Sequence, residues 1–405
     1  MSKNKRLSAA GTRPRLNTMA SVVCLATVCL FSSVSLAQEE PQPRSAPNAN
    51  VLDAEQWKQV DTSVERGLEW LITQQEADGS FETTQLGQPG ITALSLMAFL
   101  AQGESPIDGR HQQQLSKAID YIVAQQKANG LIAINASDAV PIPRFVQGRY
   151  EMSVTAVYNH AIASLSLCEA YGQCSPEQAK RLTPVIEKAI AATLEMQRWG
   201  GKEQRDKGGW RYIDKRDGYD SDLSVTGWQL MFLRSARNAG FDVAKEPIEQ
   251  GVRYIERCFI DQLDRKVHGY IVGNKNACTR AMAGEGVLAL AHAGKHDSQQ
   301  AIGSGNWILE HGFGDYHDDT HPYDAWPVDR YHYGALQCSQ AMYQLGGKYW
   351  KQFFPTLVDT LLANQQADGS WPPDRREKEY GSCYSTSLSI LSMSVPNQML
   401  PIFQR

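Results

Sequence analysis

The chain carries one sequence pattern near both of its ends, RGLEWLITQQEADGSF at residues 66–81 and LLANQQADGSW at residues 361–371. In each copy a helical stretch leads to a glutamine pair, and then to a glycine, a small residue and an aromatic residue. Weaker copies lie at residues 119–130, 190–210 and 252–270, and a degenerate copy begins near residue 302. Repetition at this spacing is typical of folds built from stacked supersecondary units.

A second, apolar segment follows every copy, at residues 92–103, 159–172, 224–240, 279–294, 333–346 and 386–393. The first segment of each pair is amphipathic, with Val64, Leu68, Leu71 and Ile72 on one helical face. The second is apolar on nearly every face and must be covered all round. Two concentric rings satisfy both patterns, with the amphipathic helices outside. The sequence therefore predicts an all-α fold, an α/α toroid of six helix pairs.

The first 37 residues are typical of a secretory signal peptide. An apolar run over residues 19–36 ends in Ser35-Leu36-Ala37 and follows five basic residues, Lys3, Lys5, Arg6, Arg13 and Arg15. We therefore expect export to the periplasm, the envelope or the medium, with an uncleaved anchor as the alternative. Residues 38–51 are rich in Pro, Gln and Asn, which predicts a disordered linker before a toroid domain at residues 52–405.

The charge of the mature chain argues against nucleic acid as a partner. The full sequence has 40 basic and 44 acidic residues, and cleavage removes five basic residues and no acidic one, leaving a net charge of −9. No segment after the signal is apolar enough to predict an integral membrane span. Six cysteines remain, which permits disulfides in an exported protein, and Cys168 with Cys174 is the most plausible local pair.

The repeated pattern resembles the QW repeat of squalene and oxidosqualene cyclases, with Phe81 where tryptophan is usual. Protein prenyltransferase β-subunits and the thioester domains of α2-macroglobulin-like proteins are related toroids. Four further stretches resemble bacterial exported prenyltransferase and squalene-oxidase repeat proteins: residues 158–172, 220–240, 343–347 and 383–391. We expect each repeat glutamine to bond free backbone amides at a neighbouring helix end. The resemblance implies the toroid and leaves the reaction open.

Every loop from an outer to an inner helix opens at the same end of a toroid. Polar residues just before or near the start of the inner helices should therefore surround one cavity mouth. This position rule selects Tyr158, His160, Asp220, Asp222, Thr226, Cys278, His332, Cys383 and Tyr384. The candidate ligand-binding residues are Tyr158, His160, Thr226, Cys278, His332 and Tyr384 from this set, together with Trp228. The ligand that they predict is an apolar small molecule, with an envelope protein at the barrel mouth as the alternative partner.

Asp220-Ser221-Asp222-Leu223 resembles the Asp-x-Asp-Asp motif of class II terpene cyclases. The resemblance implies Asp222 as the acid that protonates an alkene, with Asp220 as its catalytic neighbour. Leu223 replaces the last aspartate of the motif. The alternative is that Asp222 or Ser221 caps the inner helix that begins near residue 224.

The prenyltransferase resemblance would imply a zinc site, but only Cys278 of its three ligands remains. Asn276 stands where that family has aspartate, and Gly381 stands where it has histidine. We therefore expect this zinc site to be absent.

The loop at residues 311–321 holds three histidines and three aspartates. His317, Asp318 and His321 are the candidate ligands of a divalent metal, because mixed nitrogen and oxygen ligands suit such ions. The alternative is a solvated or lid loop in which these residues form turns.

Glu285 lies inside an apolar inner helix. A buried carboxylate must either be paired or have a raised pKa, and a raised pKa often marks a functional site. We expect a paired, structural role.

Three functions remain open, and the sequence favours the first. The chain is a binding or scaffold module that holds an isoprenoid, a lipid or an envelope partner at the barrel mouth. Alternatively it is a cyclase-like isomerase or transferase with Asp222 as the acid, which predicts an aromatic-lined cavity of several hundred Å³. A carbohydrate-active hydrolase or lyase would need two carboxylates across a cleft, from Asp220 or Asp222 with Asp318 or Asp319.

Overall fold

Twelve α-helices alternate between two rings in a computed structural model that describes residues 51–145, 150–215, 218–316 and 329–404. The outer helices are α1 (Ala54–Thr73), α3 (Gln112–Ala124), α5 (Pro176–Gln197), α7 (Lys245–Arg257), α9 (Gln299–Glu310) and α11 (Gly347–Asn364). The inner helices are α2 (Gly90–Leu100), α4 (Tyr150–Tyr171), α6 (Leu223–Asn238), α8 (Arg280–His292), α10 (Tyr331–Leu345) and α12 (Ser382–Ser394).

The inner helices form a closed ring. Each packs against the next in chain order, and α12 packs against α2. Every residue of α2 is buried, whereas α1 buries Val64, Leu68 and Leu71 and leaves Ile72 half-buried. Apolar helices inside and amphipathic helices outside are the arrangement that the sequence predicts, and the prediction of an α/α toroid is confirmed.

The repeat glutamines join each loop to the next outer helix. The Gln75 side-chain amide donates to the carbonyl oxygens of Gly79 (3.1 Å) and of Gln114 in α3 (2.8 Å). Equivalent bonds to the next outer helix run from Gln126 to Val185, from Gln197 to Pro247 and from Gln365 to Ser63. The last of these closes the ring onto α1. The expectation that these side chains bond free amides was wrong, because they donate to carbonyl oxygens.

The repeat glycines bring those loops into contact with the next outer helix. Gly79, Gly130, Gly208 and Gly369 have φ values of +94°, +91°, +90° and +99°. A Cβ atom on any of them would lie 2.3–2.4 Å from a carbonyl oxygen of that helix. Both the backbone conformation and the close approach therefore require glycine.

Three local features differ from the predictions. Helix α4 begins at Tyr150, well before the predicted start at residue 159. A two-stranded antiparallel hairpin, β1 (Phe259–Gln262) and β2 (Arg265–His268), stands in the loop between α7 and α8. All six cysteines of the described residues are free thiols, so the Cys168–Cys174 disulfide is not formed.

The end of the chain covers one end of the inner ring. Leu400, Ile402 and Phe403 are buried among residues of α2, α4 and α10. The Ile402 amide donates to Glu169 in the last turns of α4 (3.2 Å). The C-terminal segment thus fills the barrel at the C-terminal ends of the inner helices. None of the described helices is long and apolar enough to cross a membrane.

Replacing Gly369 by alanine should destabilise the fold much more than the same change at Gly240. Both glycines have positive φ, but a Cβ atom at Gly369 would lie 2.4 Å from the Arg66 carbonyl oxygen, whereas Gly240 has nothing within 4 Å. We expect the free energy of unfolding to fall by about 3 kcal/mol for Gly369→Ala and about 1 kcal/mol for Gly240→Ala. Denaturant unfolding measures both, and equal losses would contradict a role in closing the ring.

Candidate functional site

An aromatic cavity of about 280 Å³ lies at the N-terminal ends of the inner helices. Three of its tyrosines, Tyr212, Tyr270 and Tyr380, come from loops that join outer to inner helices. The remaining aromatic residues come from the inner helices themselves: Tyr158, Trp228, Tyr333 and Tyr384. Aliphatic side chains of α2, α4, α8 and α12 line the rest of the wall. The cavity is therefore largely apolar with a scatter of phenol groups.

Arg330 is the one charged residue among the described residues that line the cavity. It immediately precedes α10, and about a third of its side chain is exposed. Its Nε atom is buried without a hydrogen-bond partner among the described residues, and its nearest carboxylate, Glu379, is 3.9 Å away. A cation with an unused donor at a cavity wall suits a ligand that carries an anionic or strongly accepting group.

A hydrogen-bond chain runs from the cavity wall into the ring of helices. The Ser224 hydroxyl, which lines the cavity, lies 2.6 Å from the Tyr333 hydroxyl. The Trp228 indole also donates to Tyr333 (3.0 Å), and Tyr333 donates to Glu285. Burial raises the pKa of Glu285 well above its usual range. Glu285 is thus a neutral carboxylic acid behind a phenol of the cavity wall, which is the functional alternative to the structural role that we expected.

Three of the candidate ligand-binding residues line this cavity: Tyr158, Trp228 and Tyr384. They project from α4, α6 and α12, so three different repeats contribute. Tyr333, one residue after the predicted His332, also lines it.

His160 and Thr226 lie instead in the wall between the rings. The Ile132 amide donates to His160 Nδ1 (3.1 Å), and His160 Nε2 pairs with Thr193 (2.9 Å). Burial lowers the pKa of His160 to about 3, so the ring is neutral. The Trp210 amide donates to the Thr226 hydroxyl (3.0 Å). Both residues hold a loop against an inner helix and do not reach the cavity.

His332 and Cys278 are also outside the cavity lining. His332 is fully buried between Glu377 (Nδ1 to Oε2, 2.5 Å) and the Tyr316 hydroxyl (2.7 Å). Glu377 also accepts the backbone amides of His332 and Tyr333 at the start of α10, so it anchors that helix. Cys278 is partly buried, and burial raises the pKa of its thiol.

Asp222 caps α6 and does not face the cavity. Its Oδ1 accepts the Val225 amide (2.7 Å), and its Oδ2 accepts from the buried Arg211 guanidinium (2.9 Å). Both oxygens are therefore occupied by donors, as in an ionised carboxylate, and this geometry matches the capping alternative rather than a proton donor. The structure therefore places Asp222 in the capping position that the sequence offered as the alternative.

Asp220 is paired with two cations, Arg144 and Lys215. Burial opposes ionisation of Asp220, but the hydrogen bonds from Lys215 and Arg144 outweigh it and lower the pKa. No described carboxylate lines the cavity. The pair of opposed carboxylates that a glycosidase needs is therefore not present in the described cavity wall.

The candidate metal ligands His317, Asp318 and His321 lie outside the described residues. Within residues 51–145, 150–215, 218–316 and 329–404, no group of three His, Cys, Asp or Glu side chains is arranged to hold a metal ion.

Sequence reasoning missed several residues of this site: Tyr212, Tyr270, Tyr333, Tyr380, Arg330 and Ser224. Five of them are tyrosines or an arginine in the loops or at the very start of an inner helix, where the position rule applies. The rule was used only for a subset of the polar residues, and a complete list of tyrosines near inner-helix starts would have included the four tyrosines.

Comparison with known proteins gives a fold. No family model and no curated protein matches the chain. The fold is an α/α toroid. The type II terpene cyclase MstE from Scytonema, in complex with geranylgeranyl dihydroxybenzoate, is similar over 86% of this chain and 100% of its own, at 14% identity and a TM-score of 0.54.

Toroid glycosidases are equally similar. An inactive variant of the α-1,6-mannanase GH76A of Salegentibacter sp. HEL1_6, in complex with α-1,6-mannotriose, is 10% identical, with 84% of this chain and 99% of that chain covered and a TM-score of 0.56. A further glycosidase is 11% identical over 86% of this chain and 100% of its own, with a TM-score of 0.57. Identities this low establish the toroid and leave the activity to the side chains.

The buried, neutral His160 should make the toroid sensitive to acid. Its pKa is about 3 when folded and 6.5 when unfolded, so the unfolded chain binds more protons between these values. The stability is complete above pH 6.5 and falls by up to about 1.4 kcal/mol per pH unit as the pH drops towards 3. We would measure urea unfolding at pH 7.5 and at pH 5. The free energy of unfolding should fall less between these two pH values in His160→Gln than in the wild type. Equal losses in His160→Gln and in the wild type would contradict this assignment.

Proposed function

We propose that the chain is an exported binding protein that holds an amphipathic apolar molecule, of the isoprenoid or lipid class, in the aromatic cavity. The observation that carries this proposal is the composition of the wall, with seven aromatic residues, several aliphatic side chains and no carboxylate among the described residues. Enclosed apolar and aromatic walls with few polar groups suit apolar ligands, since burial contributes about 25 cal/mol per Å² of apolar surface.

The head of the ligand would face Arg330. This cation lines the cavity, and about a third of its side chain is exposed. A carboxylate or phosphate head would accept charge-assisted hydrogen bonds from its guanidinium group. The phenols of the wall could bind a hydroxyl head in its place, so an acid should bind more tightly than the matching alcohol.

A cyclase-like isomerase or transferase is the second candidate, because Tyr333 connects the cavity to a neutral carboxylic acid, Glu285. In such an enzyme Glu285, and not Asp222, would be the acid group. A carbohydrate-active enzyme is not proposed, since Asp220 and Asp222 are held by cations away from the cavity.

Export remains part of the proposal. The signal peptide at residues 1–37 and the linker at residues 38–51 rest on the sequence alone, and an envelope protein stays the alternative partner at the barrel mouth. The acidic mature charge supports the proposal that nucleic acid is not a partner.

Filling the cavity should abolish ligand retention. Thr155 lines the cavity on α4 and bonds only within its own helix, to the Glu151 carbonyl (2.9 Å). In native mass spectrometry of the mature chain purified from its own envelope, we expect a small-molecule adduct that Thr155→Trp loses. Thr62→Trp, at an exposed position of α1, should keep it. A wild-type protein that carries no adduct and does not bind farnesol in calorimetry would refute the proposal.

Removing the cavity cation should abolish the preference for an acidic head. We expect the wild type to bind farnesoic acid more tightly than farnesol. Arg330→Met should weaken binding of the acid about tenfold, which corresponds to about 1.4 kcal/mol, and should leave binding of the alcohol nearly unchanged. Arg110→Met, an exposed change on the outer surface, is the matched control. Equal effects on both ligands would place the head group away from Arg330.

A further inference from the structure

A small internal void lies directly behind Glu285, on the side away from the cavity. It measures about 40 Å³ and lies between α6, α7 and α8. Most of its lining is apolar, including Leu230, Ile248 and Ala289. A volume of roughly 10–15 Å³ by this measure accommodates one water molecule, so the void has room for at least one.

Two buried polar atoms without hydrogen-bond partners belong to residues that line this void. They are Glu285 Oε2 and His292 Nε2. Arg234 also lines the void, and it donates to the His292 carbonyl oxygen (2.9 Å) rather than to Glu285. Buried polar atoms are normally paired by protein or by ordered water. Because these two atoms are unpaired and the void has room for water, an ordered water molecule there would complete their hydrogen bonds.

Gly227 of α6 makes room for the carboxyl group. A Cβ atom at this position would lie 2.8 Å from Glu285 Oε2. Gly227 also lines the void. Because Gly227 has no side chain, the space next to Glu285 Oε2, on the side away from Tyr333, stays open.

The void adjoins a groove on the outer surface. Five residues line both spaces, on α6, α7 and the end of α8: Arg234, Ile248, Val252, His292 and Ala293. His292 is half-buried, while its Nε2 atom is buried. It thus stands between the solvent-filled groove and the void.

We propose that Glu285 relays protons between the central cavity and the outer groove. On the cavity side the path is the hydrogen-bond chain from Ser224 to Tyr333, both of which line the cavity, and it ends on Glu285 Oε1. On the solvent side it is water in the void, held between Glu285 Oε2 and His292. The neutral state of Glu285, caused by burial, supports this role because a proton must be present to be passed on.

The transfer balances without any other reactant. A ligand in the cavity gives its proton to the first hydroxyl of the chain. Each hydroxyl then passes its own proton to the following group, and Tyr333 passes its proton to Glu285 Oε1. Glu285 then releases the proton on Oε2 to water in the void. The reverse sequence, after the hydroxyl groups rotate, delivers a proton to the ligand. The substrate of such a relay is a ligand that gains or loses a proton, such as an alkene or an enol. Only this identification of the substrate class rests on the proposed function.

The first test needs no ligand. In infrared difference spectra at pH 7, the wild type should show the carbonyl stretch of a protonated carboxylic acid that Glu285→Gln lacks. Glu169, whose pKa burial raises to about 7, should give a second band that persists in Glu285→Gln and is lost in Glu169→Gln. A spectrum in which Glu285→Gln removes no such band would overturn the proposal, because Glu285 would then be ionised.

The second test measures access from the solvent side. On transfer into D₂O, the Glu285 band should shift at least tenfold more slowly in Ala289→Val, which fills the void. Ala291→Val is the matched control, since Ala291 is on the same helix, equally buried at 7%, and outside the void lining. If Ala289→Val does not fold, Ile248→Trp covers the void from the half-exposed side. Exchange at the wild-type rate in the folded void-filling variant would refute the path, whether or not the cavity binds a ligand.

Discussion

The hydrogen bond from Gln365 to the Ser63 carbonyl joins the last outer helix unit to the first, and the cavity depends on it. Helix pairs that stack without closing would form an open solenoid with an exposed apolar inner row. Gln75, Gln126 and Gln197 make the same bond between neighbouring units of the ring. In each unit a glycine lets the loop contact the next outer helix. Because these contacts involve backbone carbonyls, they fix the ring independently of which side chains line its centre.

Closure also explains why the ionisable residues buried in the inner ring are either paired or neutral. An inner helix is covered on every face, so a charge there must find a partner or become neutral. Asp222 finds Arg211, and His332 finds Glu377. Glu285 has no cationic partner within the described ring and becomes neutral. The same constraint therefore produces a structural ion pair at one place, a buried histidine–carboxylate hydrogen bond at a second and an acid group at a third.

The sequence was sufficient for the ring and only partly sufficient for the site. Glutamine, glycine and aromatic residues recur at fixed offsets because each serves a backbone contact, and the apolar inner segments identify the inner ring. A position near the start of an inner helix does not determine where a side chain points. Tyr333 faces the cavity and the adjacent His332 faces Glu377, since successive helical residues differ by about 100° in direction. Pairings such as Asp222 with Arg211 join a loop to a helix and leave no periodic trace.

Toroids with unlike activities share this backbone, so the chemistry must lie in the few residues that differ at its centre. In this chain the positive charge and the acid group lie at different depths in the described wall. Arg330 places positive charge at the cavity surface, while Glu285, which accepts from the wall phenol Tyr333, is neutral and one layer deeper. A carboxylate at the surface would neutralise Arg330 and repel an anionic head. Keeping the acid uncharged behind Tyr333 allows an anion to bind and a proton to move within the same cavity.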